Sequence, residues 1–232
     1  MKKYRNEWKY ECNDMQLALL NSKLKVVLEN DIHSNSKDMY VVHSLYFDDY
    51  KDICAKTTES GDSHRFKWRI RYYNDDIETL RLEYKEKQSG RGAKKICPLT
   101  KDEYDDIISG NVETLIWKTK NNLLKRFCSD IMTRYFTPKV IIDYERIAYV
   151  ETITNIRVTF DKNISSSYEI DKFLTRDYTN YPLQESGMHI VEVKFDDILP
   201  GYLKNILNVE CGNRISFSKY YNGRKKIEEV VR

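Results

Sequence analysis

The sequence lacks the features that define membrane, secreted and multidomain chains. No run of about 18 apolar residues occurs, so we expect no helix of this chain to cross a membrane. The first residues, MKKYRNEWKYEC, carry charges where a signal peptide needs an apolar stretch. Only 4 prolines and 8 glycines occur among 232 residues, and no serine-rich or glycine-rich linker divides the chain. We therefore expect a single domain over residues 1–232, in a cytoplasmic protein.

Cysteine pairs and a strong excess of one charge are also absent. The 5 cysteines are widely spaced and form no C-x-x-C, so neither a disulfide framework nor a zinc knuckle is indicated. We expect reduced thiols that serve as small core residues. The net charge is +3, from 39 Lys and Arg against 36 Asp and Glu. This balance argues against a protein that binds nucleic acid through bulk charge, and we predict no nucleic-acid partner.

The sequence also lacks the short motifs of several enzyme classes. It has no G-x-x-x-x-G-K-[ST] phosphate loop, no G-x-G-x-x-G after a strand, no G-x-S-x-G and no H-E-x-x-H. The four histidines are scattered along the chain, which argues against a zinc site built on histidine and predicts surface or loop positions for them. Any chemistry must therefore come from other residue types.

Segments with alternating apolar and polar residues dominate the chain and predict strands. These segments are residues 3–11, 40–47, 66–73, 78–87, 94–99, 138–150, 155–161 and 188–196. Apolar stripes with helical spacing, together with capping residues, predict fewer helices. They are about 14–29, 49–58, 101–110, 121–135, 202–207 and 219–230. The mixed order favours the α+β class, with an antiparallel sheet or barrel, over a doubly wound parallel sheet.

Five of the predicted strands have a charged face and a face of large apolar residues. Successive side chains of a strand point to opposite faces, so Arg81, Glu83 and Lys85 share one face while Leu82 and Tyr84 share the other. The charged residues of the other four strands are Arg5, Glu7, Lys9 and Glu11; Arg69 and Arg71; Arg157 and Asp161; and Glu192 and Lys194. Full charges of both signs therefore recur on one side of a sheet.

Two structures are consistent with this pattern. In an ordinary half-buried sheet, the charges face solvent and the apolar residues face helices. In a closed sheet of eight strands, the charges point inward and the amphipathic helices cover the outside. Few Thr, Ser or Gln residues accompany the charges, which favours the closed arrangement. An interior with many Lys and Arg and several Glu would suit a polyanion with a divalent metal ion.

A set of ordered motifs extends along the chain. They are E-W-K-Y at 7–10, L-Y-F-D at 45–48, R-I-R at 69–71, L-E-Y-K at 82–85, the pair at 94–95, Y-E-R at 144–146, R-V-T-F-D at 157–161, V-E-V-K at 191–194, L-P-G-Y at 199–202 and S-K-Y at 218–220. In this order and spacing they resemble the VTC (vacuolar transporter chaperone) domain. That domain is the polyphosphate polymerase branch of the triphosphate tunnel metalloenzymes.

The resemblance implies an antiparallel eight-stranded β-barrel tunnel jacketed by helices. It also implies an ATP-dependent polyphosphate polymerase, which transfers the γ-phosphate of ATP to a growing polyphosphate chain with Mn²⁺ or Mg²⁺. The expected partners are ATP and polyphosphate, phosphate or pyrophosphate. A tripolyphosphatase or nucleoside triphosphatase of the same fold is an alternative, in which Glu7 or Glu11 would orient the attacking water. A non-catalytic polyphosphate-binding module is a third possibility.

The resemblance also implies roles for individual residues. The implied catalytic residues are Arg69, Arg71, Lys85 and Lys219. The implied substrate-binding residues are Lys9, Lys94, Lys95, Arg146 and Arg157, with Lys94 and Lys95 as alternatives for one tunnel position. Glu192 is the implied metal ligand; Glu83 is either a second ligand or an ion-pair partner of Arg81 or Lys85. The chain departs from the E-x-E-x-K opening of the wider superfamily, because Arg5 stands in place of the first Glu.

Overall fold

A single antiparallel sheet dominates the computed structural model, which describes residues 4–31 and 39–231. Its strands are β1 (Asn6–Asn13), β2 (Glu29–Asn30), β3 (Met39–Asp48), β4 (His64–Tyr73), β5 (Asp76–Gln88), β6 (Arg91–Pro98), β7 (Thr137–Glu151), β8 (Ile156–Ser167), β9 (Tyr181–Pro182) and β10 (Met188–Phe195). Eight of these strands form the path β1-β10-β8-β7-β3-β4-β5-β6. The two-residue strands β2 and β9 pair with β7 and β8, off this path.

Seven helices occur within the described residues. They are α1 (Asp14–Val27), α2 (Ile53–Glu59), α3 (Lys101–Ser109), α4 (Val112–Lys118), α5 (Asn122–Arg134), α6 (Gly201–Cys211) and α7 (Lys219–Val231). A 3₁₀ turn also occurs at Ile170–Lys172. The predicted α+β class is therefore confirmed. No helix in this part of the chain is long and apolar enough to span a bilayer.

The helix termini follow the capping residues of the sequence. Asn13 and Thr100 each form a capping box with the residue three positions later, which begins α1 and α3. Gly110, with φ of +81°, ends α3 in the left-handed conformation that glycine adopts without steric cost. The sequence did not predict α4, whose apolar stripe consists of only Val112 and Leu115 as buried residues.

Helices cover the apolar face of the sheet in two groups. Leu20 of α1 and Leu207 of α6 are buried against β1, β8 and β10. On the other half of the sheet, Phe127 of α5 packs between Phe47 and Trp68, with ring centroids 5.0 Å and 4.9 Å away. Burial of such large side chains supplies the main favourable free energy of the fold. The apolar strand faces therefore point toward helices, as both arrangements considered for the sheet predict.

The sheet curls so that the two ends of its path approach each other. Arg5, just before β1, forms an isolated antiparallel bridge with Gly92 of β6, through two backbone hydrogen bonds of 2.9 Å and 2.8 Å. Near this bridge, the Nζ of Lys85 on β5 lies 3.0 Å from the Glu7 carboxylate on β1. The polar faces of the strands therefore line the inside of the curl.

Closure of the sheet into an eight-stranded barrel is not confirmed. Within the described residues, β1 and β6 share the Arg5–Gly92 bridge rather than a continuous hydrogen-bonded ladder. The sheet contains ten strands instead of eight, because β2 and β9 add two residues each. Such short strands have no readable alternation in the sequence, so they were not predicted.

Helix α7 lies against the polar face instead of the outer one. The ring of Tyr220 stacks on that of Tyr46, with centroids 5.3 Å apart, and its hydroxyl donates a hydrogen bond to Asp48. Gly223 touches the sheet so closely that a Cβ there would overlap Ile142. Lys219, at the first turn of α7, therefore points into the curl of the sheet.

The structure confirms the prediction of free thiols in the core and corrects the predicted surface positions of two histidines. All five cysteines are free and buried. His43 and His189 are also buried, at strand positions, where they hydrogen-bond to Asp143 and Asp14. The prediction of surface positions was wrong for these two because an aspartate partner offsets the cost of burying the ring. His64 is exposed, and His33 lies outside the described residues.

Candidate functional site

Charged side chains converge on the inner face of the curled sheet. Seven strands and α7 contribute a set that we call the polar cluster. Its cations are Lys9, Lys67, Arg69, Arg71, Lys85, Lys94, Arg146, Arg157, Lys194 and Lys219, and its carboxylates are Glu7, Asp31, Glu83, Asp161 and Glu192. Ten cations thus face five carboxylates in a largely buried space.

Strand register explains why these residues meet. Lys9 of β1 lies opposite Glu192 of β10, and Arg69 of β4 lies opposite Glu83 of β5. Directly opposed residues point to the same face of a sheet, so each pairing extends the polar face by one strand. Of the expected site residues, the structure brings together all except Lys95.

One carboxylate group centres on Glu192 and Asp161. The Glu192 carboxylate lies 3.1 Å from the Nζ of both Lys9 and Lys219, and 3.2 Å from that of Lys194. Asp161, with no exposed surface, accepts two hydrogen bonds of 2.6 Å and 2.7 Å from the Arg146 guanidinium and also contacts Lys219. Glu192 is therefore an ion-pair partner of several cations at once.

A second group centres on Glu83, which is also fully buried. Its carboxylate accepts hydrogen bonds from Arg69 Nε at 2.7 Å and from Lys94 Nζ at 3.0 Å, and it lies 3.9 Å from Arg71. Glu83 is thus an ion-pair partner, one of the two predicted alternatives. Its partners, however, are Arg69, Arg71 and Lys94 and not Arg81 or Lys85. Register explains this, because Arg69 is directly across the sheet from Glu83.

Two further carboxylates complete the cluster. Glu7 accepts hydrogen bonds from Lys85 at 3.0 Å and 3.1 Å and lies 3.7 Å from Lys194. Asp31, which follows β2, pairs with Arg157 at 2.5 Å. Glu11 is exposed at the far end of β1 and accepts a hydrogen bond from Gln184, so the structure places it away from the cluster.

Tyrosine hydroxyls hold three of the guanidinium groups in place. Arg69 donates to Tyr46 at 2.8 Å, Arg71 to Tyr144 at 2.9 Å, and Arg157 to Tyr40 at 2.9 Å. The Tyr144 ring also faces Lys219, whose Nζ lies 4.7 Å from the ring centroid. These tyrosines were not predicted as site residues from the sequence, because they read as apolar strand residues.

The electrostatic field of the cations keeps the inner carboxylates ionised. Burial alone would raise the pKa of Glu83, but Arg69, Arg71 and Lys94 hold that pKa well below its usual range. The pKa of Glu192 is likewise held low, against the effect of burial, by Lys219, Lys9 and other neighbouring cations. Burial would raise the pKa of Glu7 too, yet Lys85 and Lys9 lower it. These carboxylates are therefore poor proton acceptors.

The register of β6 distinguishes Lys94 from Lys95. Lys94 lies opposite Lys85 and points into the polar cluster, whereas Lys95 lies opposite Tyr84 on the outer face. Lys95 lines a cavity of about 420 Å³ with Ile96 of β6 and with Asn122, Leu123 and Arg126 of α5. The structure therefore places Lys95 outside the cluster.

The carboxylates do not form a metal site by themselves. No group of three or more His, Cys, Asp or Glu residues in the described part of the chain converges on one point. Each cluster carboxylate instead contacts lysine or arginine. Such a donor set fits a hard cation that binds mainly to phosphate oxygens and takes one or two carboxylates from the protein, as Mg²⁺ usually does.

Comparisons with known proteins extend over almost the whole chain. Residues 4–228 match the sequence model of a family described as the VTC domain. A putative adenylate cyclase from Bacillus halodurans has a similar structure, with a TM-score of 0.56 and 13% identity, over 94% of this chain and 95% of that one. A putative adenylyl cyclase from Hippeastrum is described as having a dominant triphosphatase activity. Its structure gives a TM-score of 0.56 at 14% identity, over 95% of both chains.

A protein from Pyrococcus horikoshii gives a TM-score of 0.50 at 14% identity, over 99% of this chain and 100% of that one. At these low identities, the likeness to solved structures concerns the fold alone. Among curated protein sequences, none matches this chain.

Proposed function

The chain belongs to the VTC domain family, as its ordered motifs predict, and we propose that it is an ATP-dependent polyphosphate polymerase. In this proposal it transfers the γ-phosphate of ATP to a growing polyphosphate chain, with Mn²⁺ or Mg²⁺. We further propose that the curled sheet surrounds the substrate as a tunnel. The close approach of β1 to β5 and β6, through Glu7–Lys85 and Arg5–Gly92, supports this.

The excess of cations on the inner face carries the proposal. Ten lysines and arginines, of which Arg71, Arg146 and Lys219 are buried, face five carboxylates, and unbalanced charge removed from water is costly unless an anion compensates it. A chain of phosphates supplies evenly spaced negative charge and strong hydrogen-bond acceptors for guanidinium and ammonium groups. The cluster extends over seven strands, so it suits an elongated polyanion better than a single phosphate.

Positioning by cations would supply most of the catalysis. We assign Arg69, Arg71, Lys85 and Lys219 to the phosphoryl group that is transferred. The other assigned residues hold the rest of the phosphate chain; they are Lys9, Lys94, Arg146 and Arg157. Phosphoryl transfer requires that the attacking and leaving oxygens lie in line and that charge on the transferred group be stabilised.

The low pKa values of the inner carboxylates favour a phosphate acceptor over water. A terminal phosphate oxygen is already ionised near neutral pH and needs no base. Burial raises the pKa of Glu7, the candidate for orienting water, but Lys85 and Lys9 outweigh burial and lower that pKa, so Glu7 stays ionised. A carboxylate with so low a pKa is a weak general base.

A direct assay tests the proposal. The protein is incubated with ATP and Mn²⁺, and the products are separated on a gel stained for polyphosphate. We expect ADP release together with a ladder of polyphosphate chains, and neither product without divalent metal. Release of free phosphate without chains would instead identify a triphosphatase. Binding of tripolyphosphate without either product would identify a non-catalytic binding module.

Glu192 is the carboxylate that we assign to the metal ion. A divalent ion bound there would neutralise negative charge on the phosphate oxygens. We expect Glu192→Gln to shift the midpoint of the Mn²⁺ titration of activity to at least about 10-fold higher concentration, since a ligand of charge −1 is lost. The activity at saturating Mn²⁺ should recover in part.

Glu83→Gln is the matched control, because it removes another buried carboxylate, from the other group of ion pairs. This variant should alter the KM for ATP while it leaves the Mn²⁺ midpoint unchanged. Identical Mn²⁺ midpoints for wild type and Glu192→Gln would show that Glu192 acts as a counter-ion only.

A further inference from the structure

Lys67 differs from the other nine cations of the polar cluster. Each of those nine has a carboxylate oxygen within 4.0 Å. Lys67 has none among residues 4–31 and 39–231; its Nζ donates instead to the Ser218 hydroxyl at 2.7 Å and lies 5.5 Å from the Tyr220 ring centroid. Neither contact neutralises its charge. Lys67 was not among the site residues predicted from the sequence.

The surroundings of Lys67 make its charge unfavourable. It lies on β4 directly opposite Lys85 of β5. Burial lowers the pKa of Lys67 most, and Lys85 and Lys9 lower it further, to about 7. Arg65 on the same strand acts in the same direction, and Cys54 of α2 acts in the opposite one. Near neutral pH, an appreciable fraction of Lys67 is therefore uncharged in the free protein.

We propose that Lys67 and Ser218 form a phosphate-binding position between Lys9 and Lys85, and that binding of the phosphate chain there is coupled to proton uptake by Lys67. The inference rests on the proposed function, since it assumes a polyphosphate or triphosphate ligand. It adds a specific role for a lysine that lacks a counter-ion of its own. Phosphate oxygens would supply the missing negative charge, and the Ser218 hydroxyl would donate a hydrogen bond to them.

The sign of the coupling follows from linkage. A phosphate beside Lys67 stabilises its charged form, so the bound state holds more protons than the free state wherever free Lys67 is partly neutral. At pH 8, about one unit above the pKa, Lys67 is about nine-tenths neutral, so Lys67 itself takes up close to one proton on binding. At pH 6 the same residue is already charged, so this uptake largely disappears. Affinity should therefore weaken as pH rises from 6 to 8.

Isothermal titration calorimetry with tripolyphosphate tests this coupling. The titrations are made without divalent metal at pH 6 and pH 8, in buffers with different ionisation enthalpies, which gives the number of protons taken up. Relative to wild type, Lys67→Met should take up fewer protons at pH 8, by nearly one, and should bind more weakly at pH 6. Lys67→Arg keeps a permanent charge, so it should bind at pH 8 without that uptake.

Lys95→Met is the control, because it removes a lysine from the outer face of β6. It should match wild type in both affinity and proton uptake. Protons exchanged by tripolyphosphate itself are common to all variants and cancel in the comparison. Thermal unfolding should show Lys67→Met at least as stable as wild type, since it removes a repulsive charge.

The outcomes separate the two proposals. Equal affinity and equal proton uptake in wild type and Lys67→Met would overturn the role of Lys67 and leave the proposed function intact. If wild type binds no tripolyphosphate at either pH, the proposed function fails, and the inference fails with it. Weaker binding by Lys67→Met with unchanged proton uptake would also contradict the coupling.

Discussion

Arg71→Ala is expected to lower the rate of polyphosphate synthesis by at least about 100-fold, a typical effect of removing one preorganised electrostatic group. Arg71 is buried, and its guanidinium is oriented by Ser44 at 3.0 Å and Tyr144 at 2.9 Å. Its distance of 3.9 Å from Glu83 leaves its donors available to phosphate. A fixed guanidinium suits the planar pairs of oxygens that a phosphate presents.

The fold should tolerate this change, because Glu83 keeps Arg69 and Lys94 as partners. Arg126→Ala is a matched control: Arg126 also donates to a tyrosine hydroxyl, that of Tyr84, but on the outer face. Rates are measured by polyphosphate formation from ATP, and folding by circular dichroism. A near wild-type rate for Arg71→Ala, or a loss of folded signal, would contradict the role assigned to Arg71.

Asp161→Asn is expected to destabilise the fold by about 3–5 kcal/mol, the usual cost of removing one partner from a buried ion pair. Asp161 has no exposed surface and binds Arg146 through two hydrogen bonds. Without it, Arg146 and Lys219 must share Glu192 with Lys9 and Lys194. Urea unfolding measures the loss, and exposed Glu11→Gln should change stability by less than about 0.5 kcal/mol.

The difference in unfolding free energy between wild type and Asp161→Asn depends on pH with a defined sign. Burial raises the pKa of Asp161, but Arg146 and Lys219 outweigh it and lower the pKa. Its contribution to stability is therefore present above about pH 4, the unfolded value, and is lost as pH falls through the folded pKa. Tripolyphosphate should restore part of the stability of Asp161→Asn. Equal unfolding free energies for wild type and Asp161→Asn would show that the ion pairs of Asp161 with Arg146 and Lys219 do not stabilise the fold.

Period-two alternation predicted much of the polar cluster. It placed Arg69 with Arg71, Glu83 with Lys85, and Glu192 with Lys194, because these pairs lie within strands long enough to show the pattern. The same alternation is equally consistent with charges in solvent. The burial of Glu83 and Asp161 distinguishes the two interpretations, and that burial depends on how the sheet curls.

Other members of the cluster needed tertiary information. Asp31 follows a strand of two residues, so no pattern precedes it. The choice between Lys94 and Lys95 depends on the pairing of β5 with β6, which the glycine-containing turn before them does not reveal in sequence. Lys67 shares the alternation of Arg69 and Arg71, so its place on the polar face of β4 was predictable. That it lacks a carboxylate partner was not, because its surroundings come from β1, β5 and the segment before α7.

The strand order has a consequence for when the chain can complete its sheet during synthesis. Within the described residues, β1 pairs along its length only with β10, and Arg5 donates to the carbonyl of Lys194, 189 residues later. At a typical synthesis rate of about 5–20 residues per second, β1 waits on the order of ten to forty seconds for this partner. The cluster cations of β4 to β7 are therefore synthesised well before β10 is available to pair with β1. Cellular polyanions, or chaperones that shield an unpaired strand, have that interval in which to act on the nascent chain.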